Sequence, residues 1–270
     1  MFISSLKNQR IKEVAKLRDR RHRDRQQRVL IEGYRGLLRA VENDYPVDTV
    51  FVCRELFQGT NEPTLIELLV KKGAELLETS VPVFQKIAYR DRPEGLLGVG
   101  PQVHHALNEL DLSDVPLLLI AEAVEKPGNL GTILRSADAA GVTGCIVCDS
   151  CTDLFNPNVV RASVGTLFTV PLAEASSAEA IQWLQANDIT ILAATPHTDF
   201  LYTEADLTVP LAIVVGTEQY GLSEQWLRGP CLKVRIPMCG QADSLNVSTA
   251  TALLLYEALR QRRLGTNQGC

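Results

Sequence analysis

Three stretches of this 270-residue chain pair turn-forming residues with side chains able to hold or polarise a ligand. The first runs from Glu122 to Asp138 (EAVEKPGNLGTILRSAD). Pro127 and Gly128 break the chain, Asn129 or Gly131 opens a helix, and Arg135 follows one turn beyond Gly131, close enough to serve an anion at the helix start. Asn129 reads equally well as an ordinary helix cap and Arg135 as a surface ion-pair partner. The second, Val214 to Ser223 (VVGTEQYGLS), sets Gly216 and Gly221 around Glu218, so backbone can approach a flat ligand beside a carboxylate. A tight turn capped by Ser223 is the plainer reading, and it leaves Glu218 without a task. The third joins VRIPM at 234–238 to Ser244, Leu245 and Asn246 before a last helix, where Ser244 and Asn246 also suit capping. Asp138, Asp243 and Glu257 read as helix-end or surface charges. None of the three is a P-loop or a GxGxxG fingerprint.

The elements that carry these stretches alternate strand and helix. Strands are expected at 117–123, 144–148, 167–171, 190–194, 211–216 and 232–236, with helices at 131–140, 157–163, 177–187, 223–226 and 245–262. Near-continuous apolar strands separated by helices imply a mainly parallel sheet covered on both faces, whose ligands sit beyond the carboxyl ends of the strands. Ahead of it lies a smaller α/β pattern. A basic amphipathic helix with Ile11, Val14, Ala15 and Leu17 on one face leads it, followed by strands near 29–33, 47–53, 75–77 and 95–99 and helices at 34–42, 63–72 and 82–89. The expected organisation is a domain at 1–103, a linker at 104–113, a second domain at 114–264 and a frayed tail at 265–270.

Charge separates the two halves. Residues 1–39 hold 12 Lys or Arg against 4 Asp or Glu, whereas the rest of the chain carries 15 against 28. Such a basic arm suits a polyanion, and Arg18, Arg20, Arg21, Arg23, Arg25 and Arg28 are candidate phosphate contacts, since a guanidinium grips two oxygens at once. The alternative is a solvated helix face. No apolar run reaches the ~20 residues that span a bilayer, and no signal peptide opens the chain, so a cytoplasmic protein is expected. The seven cysteines are odd in number and read as free thiols; Cys145, Cys148 and Cys151 lack a nearby fourth ligand, so no metal is expected.

The stretches PGNLGTILRSADAAG, VVGTEQYGLS and IPMCGQADSLNVSTATALLLYE match, in order, three motifs of the SpoU-type SPOUT superfamily, the S-adenosylmethionine-dependent RNA ribose 2'-O-methyltransferases. The resemblance spans about residues 113–263. The N-terminal part resembles, more loosely, the L30e-like RNA-binding domain of rRNA-modifying relatives, including the thiostrepton-resistance type. It implies an α/β-knot domain with a C-terminal trefoil knot, and a homodimer through the catalytic domain. It also implies S-adenosyl-L-methionine as methyl donor and RNA as partner, with 23S rRNA favoured over tRNA. Asn129, Arg135, Glu218, Ser244 and Asn246 carry over to the catalytic centre, and Thr195, Gly216, Ile236, Met238 and Leu245 to the donor site. The chain departs at Lys126, where an acid is common, and at Thr217, where Asn is frequent. A non-catalytic RNA-binding protein would not need Asn129, Arg135, Glu218 and Asn246 together. A dinucleotide-dependent enzyme would need a glycine-rich first turn that is missing here.

Overall fold

The computed structural model describes residues 1–112 and 115–266 and forms two units. The first is built from β1 (Phe2–Ile3), α1 (Gln9–Lys16), α2 (Arg20–Gln26), β2 (Arg28–Glu32), α3 (Tyr34–Glu42), β3 (Thr49–Val52), α4 (Glu62–Lys71), β4 (Glu75–Thr79), α5 (Val81–Ile87) and β5 (Leu96–Pro101). Its sheet runs β1-β4-β3-β5-β2, with β5 antiparallel to both neighbours and the other pairs parallel. Ile11, Val14 and Leu17 are buried against a core that includes Phe84 and Ile87 of α5, as their spacing demands. The basic stretch is two helices rather than one. Asp19 interrupts it and caps α2 by accepting from the Arg21 backbone N–H.

The second unit contains β6 (Leu117–Glu122), α6 (Pro127–Ala140) and β7 (Gly144–Cys148), and resumes with β8 (Leu172–Ala175), α8 (Ser177–Ala186), β9 (Thr190–Ala194), β10 (Leu211–Val215), α9 (Glu224–Leu227), β11 (Leu232–Val234) and α10 (Val247–Thr266). All its strand pairs are parallel, in the order β11-β9-β10-β6-β7-β8. Every residue of β6, β7 and β10 is buried, which is why these strands read as unbroken apolar runs. Among the described residues no helix is long and apolar enough to cross a membrane.

Three expectations change. The stretch 153–169, which contains α7 (Pro157–Ala162), packs with the first unit rather than inside a continuous 114–264 domain. Asp153 pairs with Arg23, Asn158 donates to the Tyr89 hydroxyl at 2.8 Å, and Phe168 lies 4.5 Å from the Tyr45 ring. The strand expected at 167–171 is accordingly a 3-10 turn at 166–168, and the strand begins after Pro171, where pairing with β7 becomes available. The expected linker is not bare either. His105 bridges to Ala173, His104 meets Glu174 at 2.9 Å, and Leu110 is buried in the second core. Ser113 and Asp114 lie outside the described residues, as do 267–270 of the expected tail, whose first two positions continue α10.

Candidate active site

Four neighbouring parallel strands end side by side, and the three stretches leave from those ends. Register sets Val234 beside Ala194, Ala193 beside Val214, and Val215 beside Ala121. Thr195, Gly216 and Ile236 each lie just beyond one of these ends, and Glu122 closes β6. Thr195 is buried, and its N–H donates to Val234 O at 2.9 Å. Gly216 has no alternative: a Cβ there would stand 2.3 Å from Gly221 O, because the chain doubles back through paired Thr217 and Gly221.

Helix α6 begins earlier than its sequence suggests. Pro127 occupies the first turn, where its missing N–H costs nothing, and Lys126 is the cap residue without a side-chain cap bond. Asn129 therefore sits inside the first turn, and its side chain is not the cap. Its amide donates to Glu218 Oε1, while its carbonyl oxygen accepts from Asn246 Nδ2 at 3.3 Å. Asn246 also caps α10, accepting from the Ser248 N–H at 3.0 Å and the Ser248 hydroxyl at 2.6 Å. Capping and site assembly are thus one arrangement at Asn246. Glu218, without a task in the plain turn reading, is bonded to Asn129; its Oε2 is buried with no hydrogen-bond partner among the described residues.

The remaining candidates stand nearby along the chain without mutual bonds. Arg135 is exposed on α6, about 9 Å along the axis from Asn129, and takes part in no hydrogen bond or ion pair among the described residues. Ile236 and Met238 are half-buried, and Ser244 and Leu245 exposed, in the loop between β11 and α10. That loop begins sooner and ends later than expected, since β11 stops at Val234 and α10 starts at Val247.

Sequence reasoning passed over Glu122. Its buried carboxylate accepts from the Ser223 N–H at 2.9 Å and the Ser177 hydroxyl at 3.3 Å, and Ser177 Oγ in turn accepts from Trp226 Nε1 at 2.9 Å. An acid closing a strand that is otherwise apolar was the available signal, because such a carboxylate must find donors. Thr152, equally overlooked, donates its hydroxyl to Val124 O and Glu125 O, holding the approach to α6.

The arginine run divides by environment. Arg23 is not a surface phosphate contact: it is 1% exposed, bonded to Asp153 and to Leu17 O and Arg18 O at 2.8 Å each. Arg18 donates to Lys86 O at 2.7 Å and to Ala88 O at the end of α5, a favourable place for a cation. Arg28 pairs with Asp48, and Arg20 with Asp24 at 3.4 Å, both near the surface. Arg21 and Arg25 are exposed and make no side-chain hydrogen bond among the described residues. Cys145 and Cys148 are buried in β7, where desolvation raises both thiols, Cys148 to about 12. No His, Cys, Asp and Glu cluster suited to a metal occurs among the described residues.

Known proteins resemble this chain in sequence and in fold. Residues 116–256 match the SpoU rRNA Methylase family, and residues 8–98 match the MRM3-like substrate binding domain. A Streptomyces viridochromogenes protein named 23S rRNA (uridine(2479)-2'-O)-methyltransferase is 32% identical over 93% of this chain and 89% of its own. The crystal structure of an RNA 2'-O ribose methyltransferase superposes with a TM-score of 0.83 at 44% identity, covering 97% of this chain and 99% of that one. That of an AdoMet-bound rRNA methyltransferase from Sinorhizobium meliloti gives 0.87 at 30% identity, covering 96% and 97%. With more than half its length matched, and with the motifs converging at the strand ends, the chain belongs to the SpoU rRNA methylase family.

Proposed function

We propose that this protein transfers a methyl group from S-adenosyl-L-methionine to a ribose 2'-hydroxyl of RNA, with 23S rRNA favoured over tRNA. The observation that carries the reading is the contact among Asn129, Glu218 and Asn246, which joins three stretches far apart in sequence. The residues present fit the donor. The ends of β9, β10 and β11 lie side by side, and Thr195, Gly216, Ile236, Met238 and Leu245 follow those ends, so these residues would hold it. Bound there, the donor supplies a methyl carbon on a positively charged sulfur.

The protein's own task is alignment and charge stabilisation. Asn129, held between a carboxylate and an amide, fixes the start of α6. Arg135 on the same helix presents its guanidinium to a ribose phosphate and to the 2'-oxygen, on which negative charge builds as the hydroxyl proton passes to solvent water. A guanidinium gives up a proton only at high cost, so Arg135 acts as stabiliser rather than proton acceptor. Ser244 and Asn246 shape the third side.

The same reading carries a C-terminal trefoil knot, an L30e-like substrate-binding fold at 1–103, a homodimer through the catalytic domain and a cytoplasmic setting. The lacing of α10 supports the knot: Arg262 donates to Val115 O, Pro116 O, Leu207 O and Val209 O, while Leu201 bridges to Arg235. Leu253, Tyr256 and Leu264, exposed on α10, support the pairing of copies. The test is transfer of tritiated methyl from the donor to unmodified 23S rRNA and to tRNA transcripts, followed by mapping of 2'-O-methyl positions. Label confined to tRNA would overturn the rRNA assignment, and label in neither would overturn the activity.

A further inference from the structure

The most exposed large apolar side chain among the described residues is Tyr220, at 78%. A single aromatic at a surface is ordinary; its mounting here is not. Tyr220 stands on the turn from Thr217 to Gly221, closed by Thr217 N–H to Gly221 O at 3.0 Å and Gly221 N–H to Thr217 O at 3.1 Å. Its own N–H donates to Thr217 Oγ1 at 2.9 Å. Gly221 takes a positive φ of 70°, and the turn lies so tightly on Gly216 that no Cβ fits between them. Two residues before Tyr220 on this turn, Glu218 accepts from Asn129. The Cα atoms of Glu218 and Tyr220 are therefore within ~7 Å. The ring is thus carried by backbone fixed against the catalytic centre, while the ring itself has no aromatic contact and its hydroxyl no hydrogen bond among the described residues.

We propose that Tyr220 is a stacking platform for the base of the nucleotide being methylated. The proposal rests on the RNA methyl-transfer reading above. A base and its own 2'-oxygen are separated by a few ångströms, so a ribose edge at the Asn129–Glu218 contact brings its base over this turn. Single-stranded bases are held by stacking on aromatic side chains, and stacking tolerates any base because each has a π-face. The exposed guanidinium of Arg135 favours a nucleotide over a second copy of the chain as occupant, since it provides for the phosphate that accompanies the base. Tyr220 consequently contributes binding and orientation of the target nucleotide, and takes no part in moving a proton.

The experiment compares wild type, Tyr220→Ala, Tyr220→Phe and Tyr220→Trp on an unmodified 23S rRNA transcript. It measures kcat and KM for RNA, S-adenosylhomocysteine affinity by calorimetry and oligomeric state by sedimentation. Tyr220→Ala is expected to lower kcat/KM for RNA by about 5- to 150-fold. S-adenosylhomocysteine affinity and sedimentation should stay unchanged, and the Phe and Trp variants should retain wild-type behaviour. Wild-type kinetics for the Ala variant would overturn the proposal. So would a Phe variant as impaired as Ala, which assigns the hydroxyl rather than the ring, or an Ala variant that dissociates, which assigns the ring to a contact between copies. A wild-type protein that labels no RNA would instead overturn the activity itself, and this proposal with it.

Discussion

Asn129 and Glu218, 89 residues apart, are joined by a side-chain hydrogen bond that leaves the second Glu218 oxygen buried without a partner among the described residues. A half-buried carboxylate that loses its donor is left poorly paired, so the two residues respond differently to removal. Asn129→Ala should destabilise the fold by about 1–3 kcal/mol, because the Glu218 charge stays in place without its amide. Glu218→Gln should cost less stability, since a neutral amide replaces a poorly satisfied charge. Both should lower methyl transfer by an order of magnitude or more. Thermal melts and single-turnover rates on the two variants check this ordering; equal melting temperatures would contradict it.

Arg135 carries the opposite expectation. An exposed side chain with no internal partner among the described residues contributes little to the fold, so Arg135→Ala should leave the melting temperature and S-adenosylhomocysteine affinity nearly unchanged. Turnover should fall by about 100-fold or more, the scale of losing one preorganised charge stabiliser. Arg135→Lys should recover only part of it, because a point charge cannot reproduce the planar fork. Near-wild-type turnover in the Ala variant would remove Arg135 from the reaction.

The arginine run supplies a contrast between burial and exposure. Removing Arg23 strands the Asp153 carboxylate, which is 8% exposed, and breaking such a buried pair costs about 3–5 kcal/mol. Arg23→Ala should therefore fail as a stability mutant. Arg21→Ala with Arg25→Ala should leave the melt unchanged. RNA affinity should weaken, and the log–log salt slope should drop by about 1–2, one step per lost phosphate contact. Filter binding at several salt concentrations separates the two effects.

These arginines show where sequence legibility ends. Density of charge along the chain was visible, but the 130-residue separation of Arg23 from Asp153 was not, because local periodicity carries no information about a partner on a remote segment. The same limit hid the packing of 153–169 with the first unit. By contrast, β7 and β9 were expected at their observed bounds, since parallel strands with a buried apolar centre advertise themselves as apolar runs between turns. Asn129, Glu218 and Asn246 were legible as residues of the right type at strand and helix ends. Their mutual contact depends on strand order, which spacing alone does not encode.

Glu32 gives a pH test in the first unit. Burial raises its carboxyl above the usual range, opposed by the N–H groups of Tyr89 and Arg90 that it accepts from. Because the folded value is the higher one, the native state holds more protons than the unfolded state in the window between the two values. Ionised Glu32 is thus a liability at neutral pH that acidification relieves. Wild type should gain stability relative to Glu32→Gln as pH falls from neutral through the raised value, and the difference should level off once both states are protonated. Urea titrations of both proteins across the acid range measure it, and a difference that moved the other way would refute the sign.

Glu122 tests whether the turn bearing Glu218 and Tyr220 is held from below. Its two oxygens take the Ser223 N–H and the Ser177 hydroxyl, tying the end of β6 to the starts of α9 and α8. Glu122→Ala leaves the buried Ser177 hydroxyl without its acceptor, at about 1–3 kcal/mol, and releases the Ser223 N–H, so it should lower the melt and methyl transfer together. Glu122→Gln keeps one acceptor oxygen and the volume, so it should restore most of the stability. If the carboxylate also sets the turn's position, the Gln variant should show a lower kcat at unchanged S-adenosylhomocysteine affinity. A Trp226→Phe variant, which breaks only the Ser177 end of the chain, is the reference: a purely structural Glu122 would lose kcat no more than Trp226→Phe does at matched stability.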